Sequence, residues 1–187
     1  MTDPASHGPN EVVFDRAAHA TRMVGHHFRL DDYYEVGREK IREYALAVHN
    51  HHPVFHEQRA AEGLGHPALP VPPTFTSMIA NIAHHRLFTT IVKGYNLSEI
   101  VQTDQVFEFH RPVRAGSRLV CDAYLDSFRQ MAGSDILVTT VVFSDQTGEP
   151  VQTVHSTFMA RTGSGRVDEN IARIAMEVIK NGVIASV

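Results

Sequence analysis

Residues 73–90 read PTFTSMIANIAHHRLFTT. Apolar side chains at Phe75, Met78, Ile79, Ile82 and Ala83 recur at three- and four-residue intervals, which predicts a helix from Pro73 or Thr74 to about Thr90. Proline is tolerated in a first helical turn because its missing N–H would have been unpaired there anyway. Asn81 and His84 lie off the stripe. The segment is apolar enough to expect a largely buried helix.

Beyond Gly94 the period changes from 3.6 to 2, so strands follow. The first is expected over 97–109, with Val101, Phe107 and Phe109 on one side and Gln102, Asp104 and Glu108 on the other. In 118–128, Leu119, Cys121, Ala123 and Leu125 alternate with polar residues. The nearly continuous apolar run 136–143 suits a central strand covered on both faces. The stretch 145–150, DQTGEP, reads as a hairpin turn, and 151–161 closes the sheet. A single antiparallel sheet must bury its apolar face against something. Wrapping it around the 74–90 helix gives an α+β chain of the hotdog type, an antiparallel sheet around one long central helix. The exposed sheet edge then favours a dimer.

Upstream, Ile41, Tyr44, Ala45 and Val48 mark a helix over 38–49 that must stop before Pro53. Residues 56–73 hold six glycines and prolines and read as an irregular loop, with a short helix at 57–62. The expected organisation is a loose polar leader over 1–24, one domain over 25–162, and a helical extension over 163–187.

The chain has 187 residues, 43% hydrophobic and 20% charged, with a net charge of -4, which suits one globular domain and gives no reason to expect nucleic acid. No apolar run is long enough for a membrane span, and the N-terminus lacks a secretory pattern. With the single Cys121 unable to form an internal disulfide, a cytoplasmic protein is expected. Thirteen histidines raise the question of a metal. Pro53 separates His52 from His56 and the ligand spacing of a zinc site is missing, so no metal site is expected.

Several separated stretches carry a resemblance. They are 34–45 (YEVGREKIREYA), 52–55 (HPVF), 60–65 (AAEGLG), 73–75 (PTF) and 104–113 (DQVFEFHRPV). Together they resemble the MaoC-like (R)-specific hydratases and dehydratases, in particular the A and C subunits of mycobacterial (3R)-hydroxyacyl-acyl-carrier-protein dehydratase, over about 25–162. The resemblance implies reversible removal of water from a (3R)-hydroxyacyl thioester in fatty-acid metabolism, with no organic cofactor. Catalytic members carry an acid/base pair in an Asp-x-Asn-Pro-x-His motif. Here Pro53 matches the proline, but Asn50 stands at the aspartate position, His52 at the asparagine position and Phe55 at the histidine position. Neither asparagine nor phenylalanine can exchange the required proton.

The expected role is therefore an acyl-thioester-binding subunit, taking acyl-CoA or acyl-carrier-protein thioesters, whose MaoC-like partner brings the catalytic pair. Leu69, Val71, Phe75, Met78 and Ile82 are candidates for an acyl tunnel, with core packing as their alternative role. Asn50, His52, Pro73 and Thr74 complete the substrate-binding set, and Asn50 could equally serve the helix end. Two alternatives stay open: a homodimeric hydratase in which His56 is catalytic, and a non-catalytic module that only binds the thioester. Cys121, inside a strand, is expected to be a small apolar filler.

Overall fold

The computed structural model describes residues 14–162. Among the described residues, four helices, α1 (Arg16–Met23), α2 (Arg38–Ala47), α3 (Gln58–Gly63) and α4 (Thr76–Thr90), accompany six strands: β1 (His27–Arg29), β2 (Tyr34–Glu35), β3 (Val101–Phe109), β4 (Arg118–Met131), β5 (Ser134–Ser144) and β6 (Pro150–Arg161). The sheet runs β1-β4-β5-β6-β3, all neighbours antiparallel, with β2 also pairing to β4.

Helix α4 lies in the concavity of this sheet, as its apolar sequence requires. Ile79, Ala80, Ala83 and Leu87 are wholly buried, together with Leu119, Cys121, Ala123 and Leu125 of β4. The two alanines let the helix approach the sheet closely. The inward face is rotated from the stripe read in the sequence: His84 is buried at 4% exposure, whereas Met78 and Ile82 are half-buried. His84 is admitted because its Nε2 lies 2.9 Å from the hydroxyl of Thr139 on β5.

Three further expectations are corrected. The stretch 97–109 is not all strand, since Leu97–Glu99 is a 3₁₀ turn capped by Asn96, whose side-chain Oδ1 accepts from the Ser98 N–H at 3.0 Å. The register of β3 shifts between Gln102 and Asp104. Gln102 stands opposite Phe158 and Phe107 opposite Val154, so these two share the helix-facing side, while Val101, opposite Met159, turns away. Finally, 16–23 is no loose leader. Asp15 caps α1 by accepting from the Ala18 N–H at 2.9 Å, and Ala20 is wholly buried. A Cβ added to Gly94 would sit 2.7 Å from the Phe14 ring, so the chain before α1 seats directly on this glycine. The rest of the leader and the expected C-terminal helix lie outside the described residues.

The 145–150 hairpin is ordered by Asp145. Its carboxylate accepts from the Thr147 hydroxyl and N–H and pairs with Arg111 at 2.8 Å. These contacts, the Thr147 hydroxyl first, hold its pKa down at about 2.

Candidate functional site

The connection from α2 to α3 carries the degraded motif, and its geometry follows from local backbone accounting. Helix α2 ends with His49 at a positive φ of 56°. The Asn50 N–H reaches back to the Ala45 carbonyl at 2.8 Å and the His49 N–H to Leu46 at 3.0 Å, which together form a Schellman closure. The Asn50 side chain accepts from the His52 N–H at 3.2 Å, and His52 Nδ1 accepts from the Val54 N–H at the same distance. Both side chains therefore shape the loop. His56 Nε2 lies 2.9 Å from the Asn50 carbonyl. A carbonyl can only accept, so that nitrogen carries the proton. The neighbouring His56 carbonyl accepts from Arg42 Nε at 2.9 Å, which fixes the turn further.

Phe55, at the motif's histidine position, lines a cleft of about 430 Å³. Val54, Val71, Pro73, Phe109 and Val113 form its apolar walls, with His66, His110 and Arg111 at its polar side. Two of the tunnel and binding candidates, Val71 and Pro73, thus sit beside the altered motif.

A larger cavity, about 570 Å³, lies along α4. This volume falls in the range of roughly 300–1,000 Å³ that suits small-molecule sites. Met78, Ile82 and Phe88 from α4, Leu97 and Ile100 from the following connection, and Phe158 from β6 make it largely apolar. Ser77, Asn81, His84 and Gln102 add polar groups, and Tyr34 and Tyr44 also line it. Burial first, and the charge of Glu43 second, hold the Tyr34 phenol above its ordinary pKa. The Tyr44 hydroxyl donates to the Thr74 carbonyl at 2.8 Å, pinning the start of α4 to α2.

The remaining candidates separate from these. Leu69 and Phe75 are wholly buried and line neither cavity. Phe75 is packed edge-on by Tyr44 and Tyr34, at centroid distances of 5.3 and 6.4 Å. For these two, core packing replaces the tunnel role expected from sequence. Thr74 is exposed and serves as the acceptor for Tyr44. Sequence reasoning missed Tyr34, Tyr44, His84, Leu97, Ile100 and Phe158 as cavity residues. The helical spacing did mark Tyr44, but strand pairing alone brings Phe158 to α4. Among the described residues no group of three His, Cys, Asp or Glu side chains is placed to hold a metal ion. No described helix is long and apolar enough to cross a membrane.

A sheet closed over one buried helix in this order defines a hotdog fold, and solved MaoC-like proteins share it. A MaoC-like dehydratase superposes with a TM-score of 0.75 at 39% identity, covering 84% of this chain; this chain spans about half, 48%, of that one. The C-terminally truncated HadBC (3R-hydroxyacyl-ACP dehydratase) complex from Mycobacterium tuberculosis contains a chain matching with a TM-score of 0.69 at 38% identity, over 74% of this chain and 97% of that one. The family model for the FAS1-like dehydratase domain region matches residues 22–154, and the chain belongs to that family. Among sequence relatives, a UPF0336 protein of Mycobacterium leprae is 41% identical over 145 residues, covering 78% of this chain and 91% of the relative.

Proposed function

We propose that this chain is the acyl-binding, non-catalytic half of a heterodimeric (3R)-hydroxyacyl-thioester dehydratase acting in fatty-acid metabolism. The observation that carries the reading is a pairing of loss and retention. The position that needs a proton-exchanging pair holds Asn50 and Phe55, while a largely apolar cavity of about 570 Å³ stands beside α4.

Dehydration of a 3-hydroxyacyl thioester needs a base for the proton alpha to the carbonyl and an acid for the departing hydroxyl. It also needs hydrogen-bond donors for the charge that builds on the thioester oxygen. An amide and a phenyl ring supply neither proton step. His56 is a poor substitute, because it lines neither cavity. The acid and base then come from a MaoC-like partner with an intact Asp-x-Asn-Pro-x-His motif. This chain holds the acyl tail, with Met78 and Ile82 along its wall, and Val71 and Pro73 shape the approach past Phe55.

An edge for the partner is at hand. β3 ends the sheet, and Val101, Val106 and Phe109 on it are 62%, 50% and 60% exposed. The HadBC relative is itself a complex, described as a 3R-hydroxyacyl-ACP dehydratase, which supports a two-chain assembly here.

Co-expression with a MaoC-like chain that carries the full motif tests this. The two chains should co-purify, and hydration of a trans-2-enoyl thioester should appear only in the mixture. Full hydration activity in the isolated chain would refute the proposal. Thioester binding with no turnover alongside any such partner would favour a pure binding module instead.

A further inference from the structure

The larger cavity touches α4 from Ser77, through Asn81 and Ile82, to Phe88. This spacing follows one face of the helix, so the cavity runs beside α4 for about 16 Å at roughly 1.5 Å per residue.

Its two ends differ in chemistry. Tyr34 and Tyr44 both pack edge-on against Phe75, the residue before α4, and the Tyr44 hydroxyl donates to the Thr74 carbonyl. These two phenols therefore belong to the Ser77 end. The Tyr34 hydroxyl is hydrogen-bonded to nothing among the described residues, and burial keeps it protonated, so it can donate to a ligand there. At the other end the Phe88 and Phe158 rings meet at 5.3 Å, and Leu97 and Ile100 join them on the lining. The exposed Gln102, opposite Phe158 on β3, is the polar exception there.

The connection that carries Leu97 and Ile100 is pinned along its length. The Ile91 carbonyl accepts from His19 Nε2 at 2.8 Å, and the Phe14 ring seats on Gly94. The Tyr95 hydroxyl donates to buried Asp135 at 3.0 Å, and Asn96 caps the turn that holds Leu97. A wall tied at four successive points yields little to an occupant.

We propose that the cavity beside α4 is a ruler for unbranched acyl chains, with the thioester end at Tyr34 and the methyl end against Leu97 and Ile100. The inference rests on the reading of this cavity as the acyl-tail site and adds the chain length it selects. Carbon–carbon bonds of about 1.52 Å at about 111° advance roughly 1.25 Å per carbon, so about 16 Å holds about twelve to fourteen carbons. Each carbon up to that length gains the burial of a methylene. A longer chain must buckle or push the wall, and its added carbons gain less.

The test titrates the full chain calorimetrically with straight-chain acyl-CoA thioesters, lengthened two carbons at a time. Affinity should rise by up to about fourfold per carbon and stop rising at about twelve to fourteen. Leu97→Ala should carry that limit about two carbons further, because it removes part of the end wall. Ile82→Trp blocks the cavity about 7.5 Å beyond Ser77 and should bring the limit down to about six to eight carbons. The two half-buried positions act in opposite directions, so loss of folding in one variant still leaves the other to decide.

An affinity that is flat with length, or still climbing at about eighteen carbons, would overturn the inference and leave the acyl-binding reading standing. A limit that either folded variant leaves in place would do the same. Failure of every probe to bind would overturn both.

Discussion

Arg16 Nε lies 3.2 Å from Oδ2 of Asp135, a carboxylate with no solvent exposure. The same oxygen accepts from the Tyr95 hydroxyl at 3.0 Å, and Oδ1 accepts from Gln130 Nε2 at 2.8 Å. The guanidinium also sits 4.8 Å over the Tyr95 ring. One buried charge thus ties α1, the connection after α4 and the β4–β5 hairpin together. Arg16→Met should leave that charge without its cation and cost about 3 kcal/mol, the lower part of the range for breaking a buried pair. Denaturant unfolding checks this, and an unchanged midpoint would show that the contact has no energetic consequence.

His84 gives the fold a predictable acid sensitivity. Its ordinary pKa of 6.5 is lowered by burial to about 4. As pH falls from neutral, the unfolded ring takes up a proton first, and the folded ring resists until about 4. The unfolded state binds more protons in that window, so stability decreases as pH falls through it, by on the order of 3 kcal/mol in total. Other groups titrate as well, which makes the comparison with His84→Phe the informative one. The variant should lose less stability between neutral pH and about 4 than the parent chain, and parallel curves would contradict the assignment.

Cys121 should be chemically silent. Burial first, and the charge of Asp122 second, push its thiol up to about 12, so the reactive thiolate is scarcely populated at neutral pH. Iodoacetamide should leave the native chain unmodified and label it fully in denaturant, as read by mass. Rapid labelling of the native protein would mean that β4 opens far more readily than its packing implies.

The outer edge of β3 should be the partner-binding edge. Val106 is 50% exposed, and Asp substituted there would place a charge at the proposed junction without disturbing the core. Val106→Asp should keep its far-ultraviolet circular dichroism and unfolding midpoint but lose co-purification with a MaoC-like partner. Retained association would move the interface elsewhere.

Most of the architecture was legible because two periodicities carry it. Leu119, Cys121, Ala123 and Leu125 read as one strand face, and all four are wholly buried. The 74–90 helix was equally plain. What stayed hidden depends on contacts distant in sequence. The shift at Thr103 reverses the faces at the start of β3, and only pairing with β6 reveals it. The rotation of α4 that buries His84 is decided by Thr139, 55 residues away. Helix α1 is short, and it is anchored by Asp135, Gly94 and the Ile91 carbonyl, which accepts from His19 Nε2 at 2.8 Å. At the site, the residues at Asn50 and Phe55 could be read directly, whereas the split of the candidates between two cavities and the core depends on packing between elements distant in sequence.

The central claim is that this chain contributes binding and its partner contributes proton transfer. The most direct measurement is hydration of a trans-2-enoyl thioester by the reconstituted two-chain complex, with substitutions made on one side at a time. The account predicts that His56→Ala in this chain leaves the rate nearly unchanged, while Asp→Asn in the partner's motif abolishes it. Loss of activity on His56→Ala, with a folded and assembled complex, would contradict the account.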